Sequence, residues 1–399
     1  MKAWISLAAS LAFLGLAPLA ANLYQQRWRV GPAVPQGISV SELLEGEVGK
    51  GFAQPTPGLT FRFPQEHGPH LDYRTEWWYF TGNLAGDGQD FGYELTLFRQ
   101  ALLNPLEMLI PRTSKWASSQ AMLGHFAISD LSAGKFYHAQ RLSRSALGLA
   151  GSQPPSPGQD LAWVEDWHIG MGREGAFELS ARDGGQAVRL SLSSLKQPVM
   201  QGQKGYSRKA DQPGQASNYY SLTRLQTTGT LVTNGQLHSV SGLSWMDREW
   251  STRPLGDELS GWDWFALQTS DGQELMFYQL RDRQGQATSW SAGTWVDARQ
   301  TETPLEADQM KIEVTDWWAS PLDGTRYPAG WRLKVALNGA DLRVTPRLAN
   351  QELTGLGRYW EGAVSFAGRD GQGHTLTGTG YVELVGYAAD GLPQSSRGR

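Results

Sequence analysis

The chain has 399 residues, a net charge of −4 and a pI near 6.0, so it lacks the basic field that nucleic-acid binding requires. Its sequence contains no cysteine, which excludes disulfides, thiolate metal sites, a cysteine nucleophile and a lipoprotein anchor. The length predicts two domains, and the 47 glycines and 20 prolines favour many strands and turns over long helices.

The N-terminus has the pattern of a targeting segment. Lys2 gives a positive start, residues 4–21 are apolar and uncharged, and small residues end the run. Residues 1–22 therefore predict a secretory signal peptide, although the run is also long enough for an uncleaved membrane anchor. In either case we expect the folded part outside the cytoplasm, periplasmic or secreted, or held at the inner membrane. Residues 23–60 predict an extended linker, because proline and glycine interrupt them.

The next segment predicts a hairpin whose leading strand carries several aromatic residues. Residues 77–81 are β-favouring and follow a group of ionisable side chains. Turn residues stand at 85–89, and residues 91–99 alternate as a returning strand. Such a hairpin can line a cavity with indole rings and place charge at its mouth.

The remaining chain reads as short strands at hairpin spacing, which predicts antiparallel barrels or sandwiches. An Asn-Gly turn at 234–235 suggests a domain boundary, with one domain at 61–235 and a second at 236–390. Residues 391–399 predict a disordered tail. An aromatic strand, an Asp-Gly-Gln turn and a second aromatic strand occur twice, which indicates either a duplication or the chance recurrence of common hairpin features.

Two groups of ionisable residues could perform chemistry. In the first, His70 with Asp72 or Glu76 could form an acid–base pair at a cavity mouth. The same residues could instead form a salt bridge at a strand end, and they lack the further ligands of a metal site. In the second group, Asp247 and Glu249 stand on either side of Arg248, and such carboxylates can hold distinct pKa values and divide acid and base roles. An interdomain clasp built on arginine–tryptophan stacking is the alternative.

A third candidate is Asp263, which stands between Trp262 and Trp264. On a strand, Asp263 faces away from both tryptophans. If the tryptophans form a core, Asp263 is outside and inert. If Asp263 instead points into a lumen, it is a buried carboxylate with a raised pKa.

Four segments in order resemble one known family. They are His70-x-Asp72 with residues 76–84, then residues 242–250, 359–362 and 378–387. This pattern is similar to the AttH/CrtC family of lipocalin-like proteins, which are described as predicted secreted hydrolases and include the carotenoid 1,2-hydratases. The resemblance spans residues 67–387 and implies an all-β fold of two tandem lipocalin-like, calycin-type antiparallel β-barrels.

The resemblance constrains the chemistry less than the fold. Carotenoid hydratases typically carry a histidine at the position of Arg248 and an aspartate at that of Gln279, and a glutamine cannot donate the proton that alkene hydration needs. A Gly-x-Ser-x-Gly nucleophile elbow is also absent from a strand–turn–helix context. We therefore expect first an exported protein that binds an apolar, lipid or terpenoid-like ligand, working beside an envelope ABC transporter as the AttH resemblance suggests. The alternatives are a cofactor-free secreted hydrolase or hydratase of the carotenoid 1,2-hydratase type, and a purely structural envelope protein.

The predicted site residues follow from these hypotheses. The candidate catalytic residues are His70, Asp72, Glu76, Asp247 and Glu249. The candidate ligand-binding residues are Trp77, Trp78, Tyr79, Trp245, Arg248, Trp250, Asp263, Trp264 and Tyr278. The expected partners are a hydrophobic small-molecule ligand and an ABC transporter permease, with no nucleic acid, metal or cofactor, and the chain is expected to be a monomer.

Overall fold

The computed structural model describes residues 51–253, 255–256 and 258–388. The predicted targeting segment, the tail at 391–399 and residues 23–50 of the predicted linker lie outside the described residues. The described chain is nearly all β, with short helical turns at Gln65–His67, Pro105–Met108 and Ala307–Gln309. In this part of the chain, no helix has the length and apolar character needed to cross a membrane.

The first sheet contains thirteen antiparallel strands. They are β1 (Thr75–Gly86), β2 (Gln89–Ala101), β3 (Gln120–Asp130), β4 (Lys135–Arg144), β5 (Ala150–Ser152), β6 (Gln159–Val164), β7 (Trp167–Met171), β8 (Phe177–Asp183), β9 (Gln186–Ser194), β10 (Val199–Met200), β11 (Tyr206–Arg208), β12 (Ala216–Thr233) and β13 (Gln236–Ser251). Their order is β4-β3-β2-β1-β13-β12-β9-β8-β7-β6-β5, with β10 and β11 also on β12. Because β3 and β4 approach β5 and β6, the sheet curls into a near-barrel.

The second sheet contains ten antiparallel strands. They are β14 (Leu259–Thr269), β15 (Glu274–Asp282), β16 (Ala292–Val296), β17 (Glu302–Glu306), β18 (Met310–Ala319), β19 (Arg326–Val335), β20 (Ala340–Pro346), β21 (Glu352–Leu353), β22 (Tyr359–Arg369) and β23 (Thr375–Val385). Their order is β17-β16-β15-β14-β23-β22-β20-β19-β18, with β21 on β22. The prediction of an all-β fold with two lipocalin-like barrels is confirmed.

Each sheet is closed in the same way along the chain. The first strand of the first sheet, β1, pairs with its last strand, β13, and in the second sheet β14 pairs with β23. The two predicted aromatic hairpins are β1–β2 and β14–β15, so each hairpin supplies the first two strands of its own barrel. The repeated sequence pattern therefore corresponds to equivalent positions in two barrels.

The passage between the two sheets falls later in the chain than the sequence suggested. The turn at 234–235 does connect two paired strands, β12 and β13. However, β13 also pairs with β1 over its second half, with Tyr79 opposite Asp247. A boundary between 235 and 236 would divide the first sheet, and the chain instead crosses to the second sheet between Ser251 and Leu259.

Large side chains fill both barrels and the contact between them. Trp78, Trp167 and Trp250 belong to the core of the first barrel, and Trp331 and Trp360 to that of the second. A third apolar cluster joins the barrels. It includes Tyr79, Tyr219, Trp245, Trp264, Tyr278, Tyr359 and Tyr381. The tryptophan-rich composition thus serves mainly to fill space, and the free volume near the aromatic strands lies outside the barrel interiors.

We expect Gly92 on β2 to be required for close packing of the barrels. A Cβ atom there would lie 2.5 Å from the Tyr381 hydroxyl and 2.9 Å from the Ala363 Cβ. Gly92→Ala should lower the free energy of unfolding by about 1–3 kcal/mol, because overpacking forces its neighbours to shift. Gly185→Ala is the matched control, since its Cβ would meet nothing within 4 Å. Urea unfolding curves measure both, and equal midpoints would contradict the close contact.

Candidate functional site

Side-chain alternation on β1 and β13 divides the predicted residues between two places. The set that faces the interior of the first barrel is Glu76, Trp78, Arg248 and Trp250. The set that faces the second barrel is Trp77, Tyr79, Trp245, Asp247 and Glu249. The consecutive residues 247–249 therefore do not act as one group, because Arg248 points away from its two acidic neighbours.

Glu76 is fully buried between two guanidinium groups. Arg99 and Arg248 both form ion pairs with its carboxylate, and the His70 backbone N–H donates to its oxygens at 3.1 and 3.0 Å. Burial alone would raise the pKa of Glu76, but the two arginines and His70 outweigh it and hold the pKa well below its ordinary value. The carboxylate stays ionised and satisfied, which is typical of a structural ion pair rather than a proton donor.

Rings pack closely around this ion cluster. The His70 ring stacks on Trp250 with centroids 3.6 Å apart, and the Arg248 guanidinium lies 3.8 Å from the centre of the Trp78 ring. His67 is also buried here, where burial and then the charge of Arg248 lower its pKa to about 3. The first barrel is therefore filled at this level by an ion cluster and stacked rings, although Arg248 Nε and the Trp250 indole nitrogen have no hydrogen-bond partner in the described part of the chain.

A cleft between the two barrels, called here the interbarrel cleft, brings aromatic rings and carboxyl groups together. Its free volume is about 80 Å³, several times what one water molecule needs. Its walls are Trp77, Tyr79, Phe98, Lys209, Tyr219, Asp247, Glu249, Leu255, Trp262, Trp264, Tyr278, Leu280 and Glu383. The rings of Tyr79 and Trp264 meet edge to face with centroids 5.2 Å apart, so β1 and β14 present their aromatic faces to one another.

Asp247 is the most extensively hydrogen-bonded acid of the interbarrel cleft. It accepts from the Tyr219 hydroxyl and the Ser221 hydroxyl, each at 2.5 Å, and from the Trp245 indole at 2.8 Å. Burial raises its pKa to about 6, with a contribution from Glu249, while the three donors oppose the rise. At pH 7 Asp247 is mostly ionised and remains basic enough to accept a proton.

Glu383 reaches the interbarrel cleft from β23 of the second barrel. The Trp262 indole donates to it at 2.9 Å, and no arginine or lysine forms an ion pair with it among the described residues. Burial raises the pKa of Glu383 to about 8, and the acidic groups around it add to the rise. At pH 7 its carboxyl group therefore holds a proton inside an aromatic site.

Lys209 places a buried positive charge beside these acids. Its Nζ lies 3.6 Å from Glu249 Oε1 and 3.8 Å from the centre of the Tyr278 ring. Burial would lower the pKa of Lys209, but Glu249, Tyr278 and Asp247 together outweigh it and raise the pKa. The ammonium group therefore stays charged, available to an electronegative atom of a ligand.

Two further carboxyl groups lie behind Tyr79. The Tyr79 hydroxyl donates to Glu361 at 2.5 Å, and the Tyr359 hydroxyl donates to Glu94 at 3.3 Å. Burial raises the pKa of Glu94 to about 7. Burial, with the charges of Glu94 and Glu383, raises the pKa of Glu361 well above its ordinary value. Proton-holding carboxyl groups thus continue from the cleft wall into the contact between the barrels.

Asp263 points into the second barrel, away from both neighbouring tryptophans, as alternation requires. Of the two possibilities left by the sequence, the structure shows the buried carboxyl group with a raised pKa, caused by burial and opposed by Arg281 and Tyr387. Arg281 Nε lies 3.1 Å and the Tyr387 hydroxyl 3.0 Å from its Oδ1. These contacts occupy Asp263 outside the interbarrel cleft.

The predicted site residues thus fall in four places. Those lining the interbarrel cleft are Trp77, Tyr79, Asp247, Glu249, Trp264 and Tyr278, with Trp245 hydrogen-bonded to Asp247. Those at the first-barrel ion cluster are His70, Glu76, Trp78, Arg248 and Trp250. Asp263 lies in the second barrel, and Asp72 is exposed before β1. In the described residues no group of three or more acidic or histidine side chains is placed to hold a metal ion.

Several cleft residues were not predicted. Glu383 stands in the segment 378–387, where alternation with Tyr381 and Val385 could have placed it on the same face. Tyr219 lies on β12, in a segment that the sequence pattern also identifies as a strand. Lys209 had no such signal, because it lies in a polar loop and is buried only by tertiary contacts.

Two lipocalin-like barrels that meet across an aromatic cleft define the class of this protein. The chain belongs to the AttH-like family, whose sequence profile matches residues 54–387. The crystal structure of an AttH protein from Nitrosomonas europaea is 31% identical, with a TM-score of 0.74, covering 84% of this chain and 100% of that one. Kievitone hydratase from Nectria haematococca shares the fold at 16% identity and a TM-score of 0.63, covering 86% of this chain and 97% of that one. A comparison with curated protein sequences finds no match.

Removal of the Glu76 charge should destabilise the first barrel. Glu76→Gln leaves two buried arginines without their counter-ion, and we expect a loss of about 3–5 kcal/mol in the free energy of unfolding at pH 7. Because the pKa of Glu76 is depressed in the fold, the wild-type advantage should shrink as the pH falls below about 4.3, where the unfolded chain begins to bind the proton.

Chemical unfolding between pH 3 and pH 7 measures this difference. Asp341→Asn is the control, since Asp341 forms an ion pair with Arg332 at 2.6 Å on the surface and should cost far less. A Glu76→Gln protein as stable as the Asp341→Asn protein at pH 7 would contradict the structural role.

The two cleft acids should titrate apart. We expect carboxyl midpoints of about 8 for Glu383 and about 6 for Asp247. Carbon-13 NMR of labelled carboxyl groups measures them, with Glu383→Gln and Asp247→Asn used to assign each signal. A Glu383 signal that titrates near the ordinary value of 4.5 would show that the acid is not kept protonated.

Proposed function

We propose that this protein is a cofactor-free acid–base enzyme of the hydro-lyase type, acting on an apolar, unsaturated small molecule in the interbarrel cleft. The observation that carries the proposal is the pair of carboxyl groups in one aromatic site whose pKa values are raised to about 8, for Glu383, and about 6, for Asp247. General acid–base catalysis needs one group that holds a proton and another that accepts one at the same pH.

The roles follow from the protonation states. In hydration, the Glu383 carboxyl group gives its proton to one carbon of the double bond. A water molecule adds its oxygen to the neighbouring carbon and loses a proton to Asp247. Proton return from Asp247 to Glu383 through solvent completes the cycle, and dehydration follows the reverse steps. The net change is addition or loss of one water molecule.

The strength of the acid limits the substrate class. A carboxyl group with a pKa near 8 is a weak donor, so an isolated alkene is a poor substrate. We infer a double bond conjugated to a carbonyl or phenol group, whose oxygen the Lys209 ammonium can stabilise as negative charge develops. The aromatic walls would hold the apolar remainder by ring stacking.

The two departures from carotenoid hydratases bear little on this site. Arg248 points into the first barrel, and Gln279 lies opposite Asp263, one residue away from the cleft residue Tyr278. Neither position supplies or removes an acid in the interbarrel cleft. The shared fold with kievitone hydratase is compatible with a hydro-lyase but does not carry the argument.

A second candidate is a binding protein for an apolar ligand. The many aromatic and aliphatic side chains that line the interbarrel cleft favour it, because such walls bind ligands without any reaction. Export and work beside an ABC transporter belong to this candidate and stay predictions.

Native mass spectrometry of the protein purified from its own organism separates the two. We expect no retained ligand on the wild type, because turnover releases the product. We expect a trapped apolar molecule on Asp247→Asn and Glu383→Gln, because a variant that cannot turn over keeps its substrate bound. Asp263→Asn is the matched control, a buried carboxyl group outside the interbarrel cleft, and should behave as wild type.

An equal ligand load on all four proteins would favour the binding protein and overturn the enzyme. Nothing bound to any of them would count against both functions. With the trapped molecule as substrate, the rate should fall by roughly 10²–10⁴-fold in either cleft variant. The wild-type rate should rise with pH through about 6 and fall through about 8, where Asp247 and Glu383 lose their protons.

A further inference from the structure

The segment between β2 and β3 exposes an unusual run of large apolar side chains. Those most exposed are Leu106, Leu109, Ile110 and Trp116, with Leu102 and Met108 beside them. Leu109 is 77% exposed and directly follows the short helix Pro105–Met108. A concentration of apolar surface of this kind marks an interaction site in a soluble domain.

A structured turn holds these side chains outward. Asn104 accepts from the Glu107 backbone N–H at 3.0 Å, and the Glu107 carboxylate accepts from the Asn104 backbone N–H at 2.8 Å. This capping box fixes the short helix Pro105–Met108. The exposure of Leu106 and Leu109 is therefore built into the loop.

The composition of the loop matches the surface of a lipid bilayer. Arg112 and Lys115 are exposed between Ile110 and Trp116. Leucine and isoleucine insert into the acyl boundary, tryptophan prefers the headgroup level, and basic side chains pair with anionic headgroups. The centre of a protein–protein interface, in contrast, is depleted in lysine.

The position of the loop in the fold also fits contact with a lipid bilayer. The described chain enters the fold beside it, since a Cβ on Gly51 would lie 2.9 Å from the Asn104 side chain. The Ala53 backbone then bonds to Asp72 and to Thr252 at the same edge of the first sheet. The sequence before this point contains the apolar run at 4–21, which predicts a secretory signal peptide or a membrane anchor.

The interbarrel cleft lies at this edge as well. Phe98 lines the cleft and precedes Leu102 by four residues of extended chain, about 13 Å. Trp77 stands near the start of β1 and Glu249 near the end of β13, which are neighbouring strand ends. An apolar molecule dissolved in a bilayer at this edge would be next to the cleft.

We infer that the exposed loop 102–116 is a membrane-docking surface that seats the folded part on an anionic lipid bilayer, with the interbarrel cleft beside the lipid. Docking of the loop does not depend on whether the cleft is catalytic. The partner of the loop is the bilayer surface. Leu106, Leu109 and Ile110 insert into the acyl boundary, and Arg112 and Lys115 bind the anionic headgroups.

Site-specific fluorescence tests this in the full chain. Because the sequence has no cysteine, Leu109→Cys and Leu237→Cys each take one environment-sensitive nitrobenzoxadiazole label. Leu237 is the matched control, a leucine 63% exposed at the β12–β13 turn, the opposite end of the same sheet. Each protein is reconstituted with vesicles of phosphatidylcholine and phosphatidylglycerol, with and without brominated acyl chains.

We expect the label at position 109 to brighten roughly twofold or more on vesicles and to be quenched by brominated chains, since it enters the acyl boundary. The label at 237 should do neither. Adding Arg112→Gln and Lys115→Gln should weaken the response on anionic vesicles roughly fivefold for each charge removed, and should leave it unchanged on pure phosphatidylcholine.

Four results would overturn the inference. One is no vesicle response at position 109, and another is the same response at 237. A third is a label at 109 that is already shielded without vesicles, which would mean that the N-terminal part of the chain covers the loop. The fourth is a response that needs native membranes and disappears after protease treatment, which would assign the loop to a protein partner.

Discussion

The two-residue period of β1 and β13 is the constraint on which the rest of the structure depends. Where the two strands pair near Glu76 and Asp247, both are buried on both faces, and each face serves a different purpose. One face carries the ion pair of Glu76 with Arg248, and the other carries Asp247 and its aromatic neighbours. A register slip of one residue would exchange these faces and put an arginine in the interbarrel cleft. The Glu76 ion pair crosses the two strands, and it therefore helps to fix the register that keeps the cleft free of arginine.

Burial opposes the ionisation of both Glu76 and Glu383, yet their pKa values move in opposite directions. The pKa of Glu76 falls because two guanidinium groups contact the carboxylate directly. The pKa of Glu383 rises because burial and the neighbouring acidic groups outweigh the single hydrogen bond that it accepts from the neutral Trp262 indole. The nature of the partner, rather than the depth of burial, therefore decides which acid is structural and which can exchange a proton.

The sequence predicted the fold well for identifiable reasons. Strand alternation, Asp-Gly and Asn-Gly turns and four ordered motifs all indicated two antiparallel barrels. Alternation and turn residues are local features, because successive side chains of a strand point to opposite faces. The site was predicted less well. Adjacent acids and a base at 247–249 look like one group in sequence, but a strand sends them to opposite faces. Lys209 could not be predicted, because its burial depends on strands from both barrels that contact a loop. Glu383 could have been predicted by alternation, because it shares a face of β23 with Tyr381 and Val385.

The matched closing strands of the two sheets have an evolutionary consequence. Asp247 lies on β13 and Glu383 on β23, so the proposed proton acceptor and the proposed proton donor come from corresponding positions in two halves of one polypeptide. Among the described residues, each half contributes one of these two carboxyl groups to the interbarrel cleft, so the proposed site needs both halves. Substitutions in the second half can change the pKa of the proposed donor, Glu383, while Asp247 stays intact. The aromatic side chains on the two walls of the interbarrel cleft can also change independently. In the proposed enzyme, each barrel contributes one carboxyl group, so evolution can change the two groups separately to suit new substrates while both barrels keep their fold.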